Sequence, residues 1–400
     1  MSAINADSIA AETEFLSRLV AIRHDIHQHP ETAFEEKRTS DLVAAFLENL
    51  GLPVHRGLAG TGVVATVKGR HEGNRKIGLR ADMDALFIEE QTGLPYASKV
   101  PGKMHACGHD GHTTMLLGAA EKLAKDPDFA GTVYLIFQPA EEGQGGARVM
   151  INDGLFELFE CDAVYGVHNG PCEPLGMVKT RPGAMMPAGD TWEVTFCGTG
   201  GHGAMPHTAT DPTVAAGDFI ASLSNIISRN IPSNDQAVIS VGHMQAGAFD
   251  SPNIIPSSVL VRGTARSFKP QYRDILEKRI GELAAGMAAA HGVEAQYKFI
   301  RRYPPLVNHA SETDLAVRAA KQAVGEGLVD GECDAVGGSE DFSFMLEKVP
   351  GAYVMIGNGD GPDSHFVHTP KFDFSDDLIP YGVAYWLNVV EAELGQTANG

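Results

Sequence analysis

Residues 132–143 read TVYLIFQPAEEG: a nearly unbroken apolar run, Thr132 to Phe137, then a turn carrying two adjacent carboxylates, Glu141 and Glu142. An apolar run of strand length without polar alternation is the pattern of a strand buried on both faces, as in a parallel sheet covered by helices. Acids placed just past such a strand lie where open α/β sheets bind ligands. The two glutamates point to different sides because adjacent side chains alternate. One can hold a ligand while the other stays free.

Just upstream, Met104 to His112 reads MHACGHDGH. A thiol, three imidazoles and an aspartate within nine residues exceed what a buried free cysteine beside solvated histidines would require. Thiolate, imidazole and carboxylate together suit a divalent transition metal, zinc first. Cys107, His109, Glu142, His168 and His368 are the expected metal ligands, each next to a strand or helix end. Glu142 is assigned as ligand and Glu141 as general base. A metal lowers the pKa of bound water toward ~7, and a nearby carboxylate can then take the proton. Asp82 and Asp84 either orient the ligand histidines or form an Asx turn. Asp110 is either a similar supporting residue or a helix N-cap.

The same alternation continues outward. Helices are expected over 10–28, 35–49 and 110–125, and strands over 62–67, 76–79, 132–137, 163–167 and 352–356. His168 is expected at the end of its strand. Strands alternating with helices predict an α/β domain with a mostly parallel sheet and helices on both faces. From Ala188 the order changes to β-α-β-β-α-β, the ferredoxin-like unit. The expected division is therefore a catalytic metal-binding domain at 1–187 and 303–400, with an inserted domain at 188–302. The tail after Leu394 is expected to fray.

Within the insert, Thr199 to His207 reads TGGHGAMPH and presents His202 on a glycine-rich turn. His202 is either an exposed loop histidine or a hydrogen-bond donor to a developing oxyanion. Asn253 and Arg266 are candidates for holding a substrate carboxylate, and Arg80 is a further option. The GGSEDF run at 337–342 either starts a helix capped by Ser339 or lines the site.

Composition narrows the function further. The chain has 400 residues, enough for two domains, and a formal net charge of −20. That charge argues against nucleic acid and against anionic membrane surfaces. Five scattered cysteines without a C-x-x-C pair fit a reducing compartment. The N-terminal residues lack the apolar core of a secretory signal, so a cytoplasmic location is expected. No phosphate-loop signature, dinucleotide fingerprint or G-x-S-x-G elbow is read, so ATP, NAD and serine-nucleophile chemistry are unsupported.

Taken in order, RHDIHQHPETAFEE, GLRADMDAL, MHACGHDGHTTMLLGAA, FQPAEEG, GVHNGP, GGHGAMPH, GGSEDF and HTP span nearly the whole chain. Together they resemble the metal-dependent amidohydrolases that include hippurate hydrolases, N-acyl-amino-acid aminoacylases and indole-acetyl-amino-acid hydrolases, a branch of the co-catalytic metallopeptidases. The resemblance implies two divalent metals held through Cys107, His109, Glu142, His168 and His368, with Zn2+ first and Mn2+, Co2+ or Ni2+ as alternatives. It implies that Glu141 is the base and His202 the lid-domain histidine, serving its own or the neighbouring subunit's site. Asn253 matches a lid asparagine that helps hold substrate. It further implies a lid and dimerisation role for the insert, giving a dimer or dimer of dimers. In the wider metallopeptidase group a histidine ligand stands where this chain has Asp82, a departure shared with the aminoacylase branch. The expected activity is hydrolysis of an N-acyl amino acid to a carboxylate and a free amino acid. The alternatives are a metallo-dipeptidase or aminopeptidase, and a non-catalytic metal-binding protein.

Overall fold

The computed structural model describes residues 4–359, 361 and 364–395. The tail beyond Gly395, part of the stretch expected to fray, lies outside them. The chain divides into two compact units, one of Met1–Met185, Val307–Ala335 and Asp341–Gly400, the other of Met186–Leu306 with Val336–Glu340.

The first unit is built on an eight-stranded sheet. Its strands lie in the order Val54–Leu58, Gly62–Lys68, Ala130–Gln138, His71–Asp82, Ala163–Gly170, Gly351–Gly357, Val178–Lys179, Val329–Asp330. The four strands from Ala130–Gln138 to Gly351–Gly357 run parallel, while Gly62–Lys68 and Val54–Leu58 join antiparallel. The predicted α/β class with a mainly parallel sheet therefore holds, with antiparallel pairing toward the edges. Register places Asp82 beside Gln138 and His168 beside Met355. The carboxyl ends of the parallel strands thus share one rim.

The Ala130–Gln138 strand is buried throughout its second half, as the apolar run requires. The helices Thr13–Gln28, His109–Lys125 and Ile379–Leu394 pack on one another. Their apolar residues, among them Leu19, Met115, Leu116, Val383 and Trp386, join Leu79, Leu135 and Val354 of the sheet in one core.

Several boundaries differ from expectation. The Lys76 strand runs much further, as His71–Asp82, because Arg80 and Asp82 are polar yet buried among partners. His168 sits inside its strand, which continues to Gly170. The first helix is split into Ala6–Ala10 and Thr13–Gln28. The helix after GGSEDF is Ser343–Leu346 with Phe342 at its N-cap position, so Ser339 does not cap it.

The second unit has a four-stranded antiparallel sheet in the order Ala237–Ala246, Ser258–Ser267, Ala188–Cys197, Glu294–Tyr303. Trp192, Val194 and Phe196 alternate inward from one strand, Val259, Val261 and Ala265 from the next. They form a core with Phe219 and Ile226 of Pro212–Asn230 and Leu276 and Ile280 of Pro270–His291. Alternation of this kind is what a sheet with one covered face demands.

Candidate metal centre

At the rim of the first unit's sheet, Cys107 stands between two imidazoles. His168 Nε2 and His368 Nε2 each lie 3.3 Å from its sulfur. Two ligand sets share that thiol: Cys107 with His109 and His168, and Cys107 with Glu142 and His368. Within each set the donor atoms lie within 4.8 Å of one another. Five residues spread over more than 250 positions of sequence are thus brought together: Cys107 and His109 at the start of the His109–Lys125 helix, Glu142 past the Ala130–Gln138 strand, His168 within Ala163–Gly170, and His368.

Local backbone explains how each donor is aimed. Gly108 takes φ +92° between Cys107 and His109, a left-handed bend that glycine adopts without steric penalty. A Cβ there would also come 2.3 Å from Asn169 Oδ1. His368 has φ +64° and Ala140, just before the two glutamates, +56°. Such conformations are uncommon without glycine and concentrate at functional sites. The His368 N–H donates to the Ala106 carbonyl at 2.7 Å, which fixes that bend.

Hydrogen bonds also fix which nitrogen of each histidine faces the cluster. His109 Nδ1 donates to the Asp84 carbonyl at 2.9 Å, and His168 Nδ1 donates to the Asn169 carbonyl at 2.7 Å. A carbonyl can only accept, so in both rings Nε2 is the nitrogen left for a ligand. His112, from the same helical turn, places Nδ1 2.6 Å from Asp82 Oδ1 and Nε2 2.7 Å from Asn169 Oδ1.

The acids divide the support between them. Asp84 accepts the backbone N–H of Glu141 on one oxygen, 3.0 Å, and that of Glu142 on the other, 2.9 Å. Asp82 lies 3.7 Å from His109 Nε2 and pairs with Arg80 at 2.8 Å. Neither aspartate is a surface turn residue: both are buried. Asp110 faces elsewhere, toward Arg23 Nη1 at 3.1 Å and His27 Nδ1 at 2.8 Å. It does not cap its helix either, since the N-cap position belongs to Gly108.

The donor set fits a divalent cation. Burial pushes the Cys107 thiol well above its ordinary range, and the Glu142, Glu141 and Asp82 charges push the same way. Burial works against the charged forms of His109 and Glu142 as well. Even so, Asp82 and Asp84 raise His109 to about 10, and His368 and His109 hold Glu142 below the usual carboxylate range. Burial and His112 push His168 well down, leaving it neutral. His109 Nε2 and Glu142 Oε1 are both buried without a hydrogen-bond partner, although His368 Nε2 is 3.1 Å from that oxygen. A buried imidazole nitrogen and a carboxylate oxygen left unpartnered beside a thiol crowded by acids are what a bound cation would relieve.

Glu141 is buried but lies in neither Cys107 set. Its Oε1 lies 3.4 Å from the Asp341 N–H. The Asp341 carboxylate in turn accepts from Gln138 Nε2 at 2.8 Å, Arg80 Nη2 at 3.0 Å and the Ala147 N–H at 2.9 Å. Arg80 is fully buried in this network, so it is committed to Asp82, Gln138 and Asp341 and does not serve a substrate carboxylate. Gln138, Asn169 and Asp341 were not assigned roles from sequence. Gln138 and Asn169 lie in the same runs as Glu142 and His168, while Asp341 lies in the GGSEDF run that sequence read either as a helix start or as lining the site. His105 from the MHACGHDGH run faces away, its ring 6.2 Å from that of His27, and burial pushes it down to about 3.

In the second unit His202 is exposed and pairs with Ile254 in a short two-stranded ribbon. Its Nδ1 accepts the Ala204 N–H at 3.1 Å, which makes Nε2–H the outward donor. The Asn253 carbonyl accepts the Gly203 N–H at 2.8 Å, so Asn253 and His202 are neighbours. The glycine spacing of 198–203, GTGGHG, is that of a dinucleotide loop. It leads into the Gly201–His202 strand and not into a helix, so the fingerprint's context is missing. Arg266 Nη1 donates to the Ala265 carbonyl at 3.0 Å and the Asp190 carbonyl at 3.4 Å.

A mainly parallel sheet with two candidate ligand sets and a further buried carboxylate at its rim is the arrangement of a metal-binding hydrolase. Residues 78–392 match peptidase family M20/M25/M40, and the chain belongs to that family. It is 40% identical over 366 residues to hippurate hydrolase of Campylobacter jejuni, covering 91% of this chain and 94% of that one. It is 37% identical over 382 residues to N-acetylcysteine deacetylase of Bacillus subtilis, covering 94% and 97%. The solved YXEP protein of Bacillus subtilis, described as a dinuclear metal binding peptidase from the M20 family, superposes with a TM-score of 0.81. It shares 34% identity, over 95% of this chain and 98% of that one. Among the described residues no helix is long and apolar enough to cross a membrane.

Proposed function

We propose that this chain hydrolyses the amide bond of N-acyl amino acids, hippurate-like or N-acetylated, releasing a carboxylate and a free amino acid. The observation that carries this reading is Glu141: a buried carboxylate that meets His109 and Glu142 at the edge of the cluster but does not group with Cys107. Cys107, His109 and His168 would hold one divalent ion, and Cys107, Glu142 and His368 the other. Such ions polarise a carbonyl and make water a nucleophile near neutral pH. Glu141 takes the proton from the attacking water and delivers it to the leaving nitrogen. His202 donates from Nε2 to the oxyanion of the tetrahedral intermediate, in its own or the neighbouring subunit's site. Asn253 and Arg266 hold the substrate carboxylate. The thiolate favours Zn2+, with Mn2+, Co2+ or Ni2+ as alternatives.

The second unit serves as lid and as the contact for a second copy. Its edge strand Ala237–Ala246 exposes Val238, Val241 and Met244, and an uncovered apolar edge is a pairing surface. Five free cysteines support a reducing, cytoplasmic setting.

The test is a panel of hippurate, N-acetyl amino acids and dipeptides. N-acyl amino acids should be cleaved, chelator should abolish turnover, and Glu141→Gln should remove it at unchanged metal content. Preference for dipeptides with free amines would replace the reading with a peptidase. A near-normal rate in Glu141→Gln would refute the base assignment.

A further inference from the structure

Glu36 is a fully buried acid far from the donor cluster in sequence. It occupies the N-cap position of helix Lys37–Asn49 but makes no side-chain cap hydrogen bond to it. Glu31 satisfies that helix instead, accepting the Arg38 and Thr39 N–H groups at 3.0 and 2.9 Å. The Glu36 carboxyl is spent elsewhere. Its Oε1 accepts the N–H of Ala140 at 2.9 Å and of Phe34 at 3.0 Å, and its Oε2 accepts the Thr61 hydroxyl at 2.8 Å.

Ala140 is the left-handed residue that turns the chain into Glu141 and Glu142. Its carbonyl accepts the Gly146 N–H at 2.9 Å. A side chain at 146 could not be tolerated, since a Cβ there would meet the Pro139 carbonyl oxygen at 1.7 Å. Three consecutive amides, 140 to 142, are therefore gripped by two buried carboxylates, Glu36 taking the first and Asp84 the next two. A left-handed alanine is strained and persists only where its surroundings hold it.

We infer that Glu36 is a positioning residue for the proposed reaction: by holding the Ala140 amide it sets the direction in which Glu141 leaves the strand, while the Glu142 N–H stays held by Asp84. The inference rests on the hydrolytic reading of the same site. Burial and the neighbouring Asp84 charge push the Glu36 carboxyl up to about 7. A glutamine, neutral and of equal reach, can keep Oε1 on both amides and donate to Thr61. An aspartate, good at an N-cap but one methylene shorter, cannot reach Ala140.

The test uses the full metal-loaded chain with Glu36→Gln, Glu36→Asp and Glu36→Ala. Glu36→Asp and Glu36→Ala should lower kcat about 100-fold, the scale of a misplaced catalytic group, with KM and metal content close to wild type. Glu36→Gln should stay within roughly threefold, as expected when the positioning hydrogen bonds survive. Backbone hydrogen exchange over 138–143 should be fast in the Asp and Ala variants and slow in wild type and Glu36→Gln. Unchanged exchange in all three variants, or a loss confined to KM or to metal content, overturns the inference. Exchange is read without substrate, so it decides on Glu36 even if wild type fails to cleave N-acyl amino acids, a failure that would strike the proposed function instead.

Discussion

The Asp84 carboxylate bridges the backbone of the Glu141–Glu142 pair, one oxygen to each N–H at 3.0 and 2.9 Å. Its own backbone carbonyl meanwhile fixes His109. Asp84, two residues past the end of the His71–Asp82 strand, thus sets the tautomer of one candidate ligand and the position of another. Asp84→Asn keeps one acceptor and turns an NH2 group against the second N–H. Leaving a buried amide unpaired costs about 1–3 kcal/mol, and loss of such support typically costs 10–100-fold in metal affinity or activity. Metal titration and urea unfolding of the variant should register both losses. A variant with wild-type metal affinity and stability would show that the bridge is incidental.

Because Cys107 belongs to both ligand sets, variants should separate the ions by count. His168→Ala removes a donor from one set only and His368→Ala from the other, so each should retain close to one ion of two. Cys107→Ala removes the donor common to both and should bind neither tightly. Atomic spectroscopy on dialysed protein gives the stoichiometry directly. Full occupancy in the Cys107 variant would contradict sharing of the thiol.

The five donors that the structure brings together were legible as candidates in sequence because each sits in a short run of unusual chemistry beside a recognisable strand or helix. The strand 132–137 was legible because its run is nearly all apolar, with Val133 and Leu135 to Phe137 buried. What sequence hid was polar burial. Arg80 and Asp82 read as lying past the carboxyl end of the 76–79 strand, yet the strand runs on through Asp82, since Asp341, Gln138 and His112 satisfy them from distant positions. Asp110 in the first turn of a helix reads as a cap, yet Arg23 and His27 claim it from another helix. Glu36 carries no local signal at all. Its partner is the Ala140 amide, and no pattern of side chains announces which backbone amide a distant acid will accept.

Arg80 offers a test of that buried network. Its guanidinium is fully buried between Asp82 and Asp341, at 2.8 and 3.0 Å. Removing one partner of such a cluster typically costs 3–5 kcal/mol, because the remaining charges are stranded. Arg80→Ala should therefore lose stability on that scale in chemical denaturation. A stable variant whose only defect is a much higher KM would restore Arg80 as a substrate residue.

The charged cluster behind the His109–Lys125 helix predicts a pH dependence of stability. His27 is fully buried, with Nδ1 on Asp110 at 2.8 Å and Nε2 3.4 Å from Glu90. Arg23, His105 and Tyr96 also pack near it. Burial disfavours its charge, but Asp110 and Glu90 outweigh this and raise it to about 9 from 6.5. A folded-state pKa above the unfolded value means that the folded protein binds the proton more tightly. The contribution is then complete below pH 6.5 and is lost as pH rises through about 9. A shift of this size corresponds to about 3 kcal/mol. Comparing wild type with His27→Gln at each pH cancels the titration of groups common to both. The stability difference between them should shrink by that order from pH 6 to pH 10, and parallel stability curves would show that His27 is not held as an imidazolium.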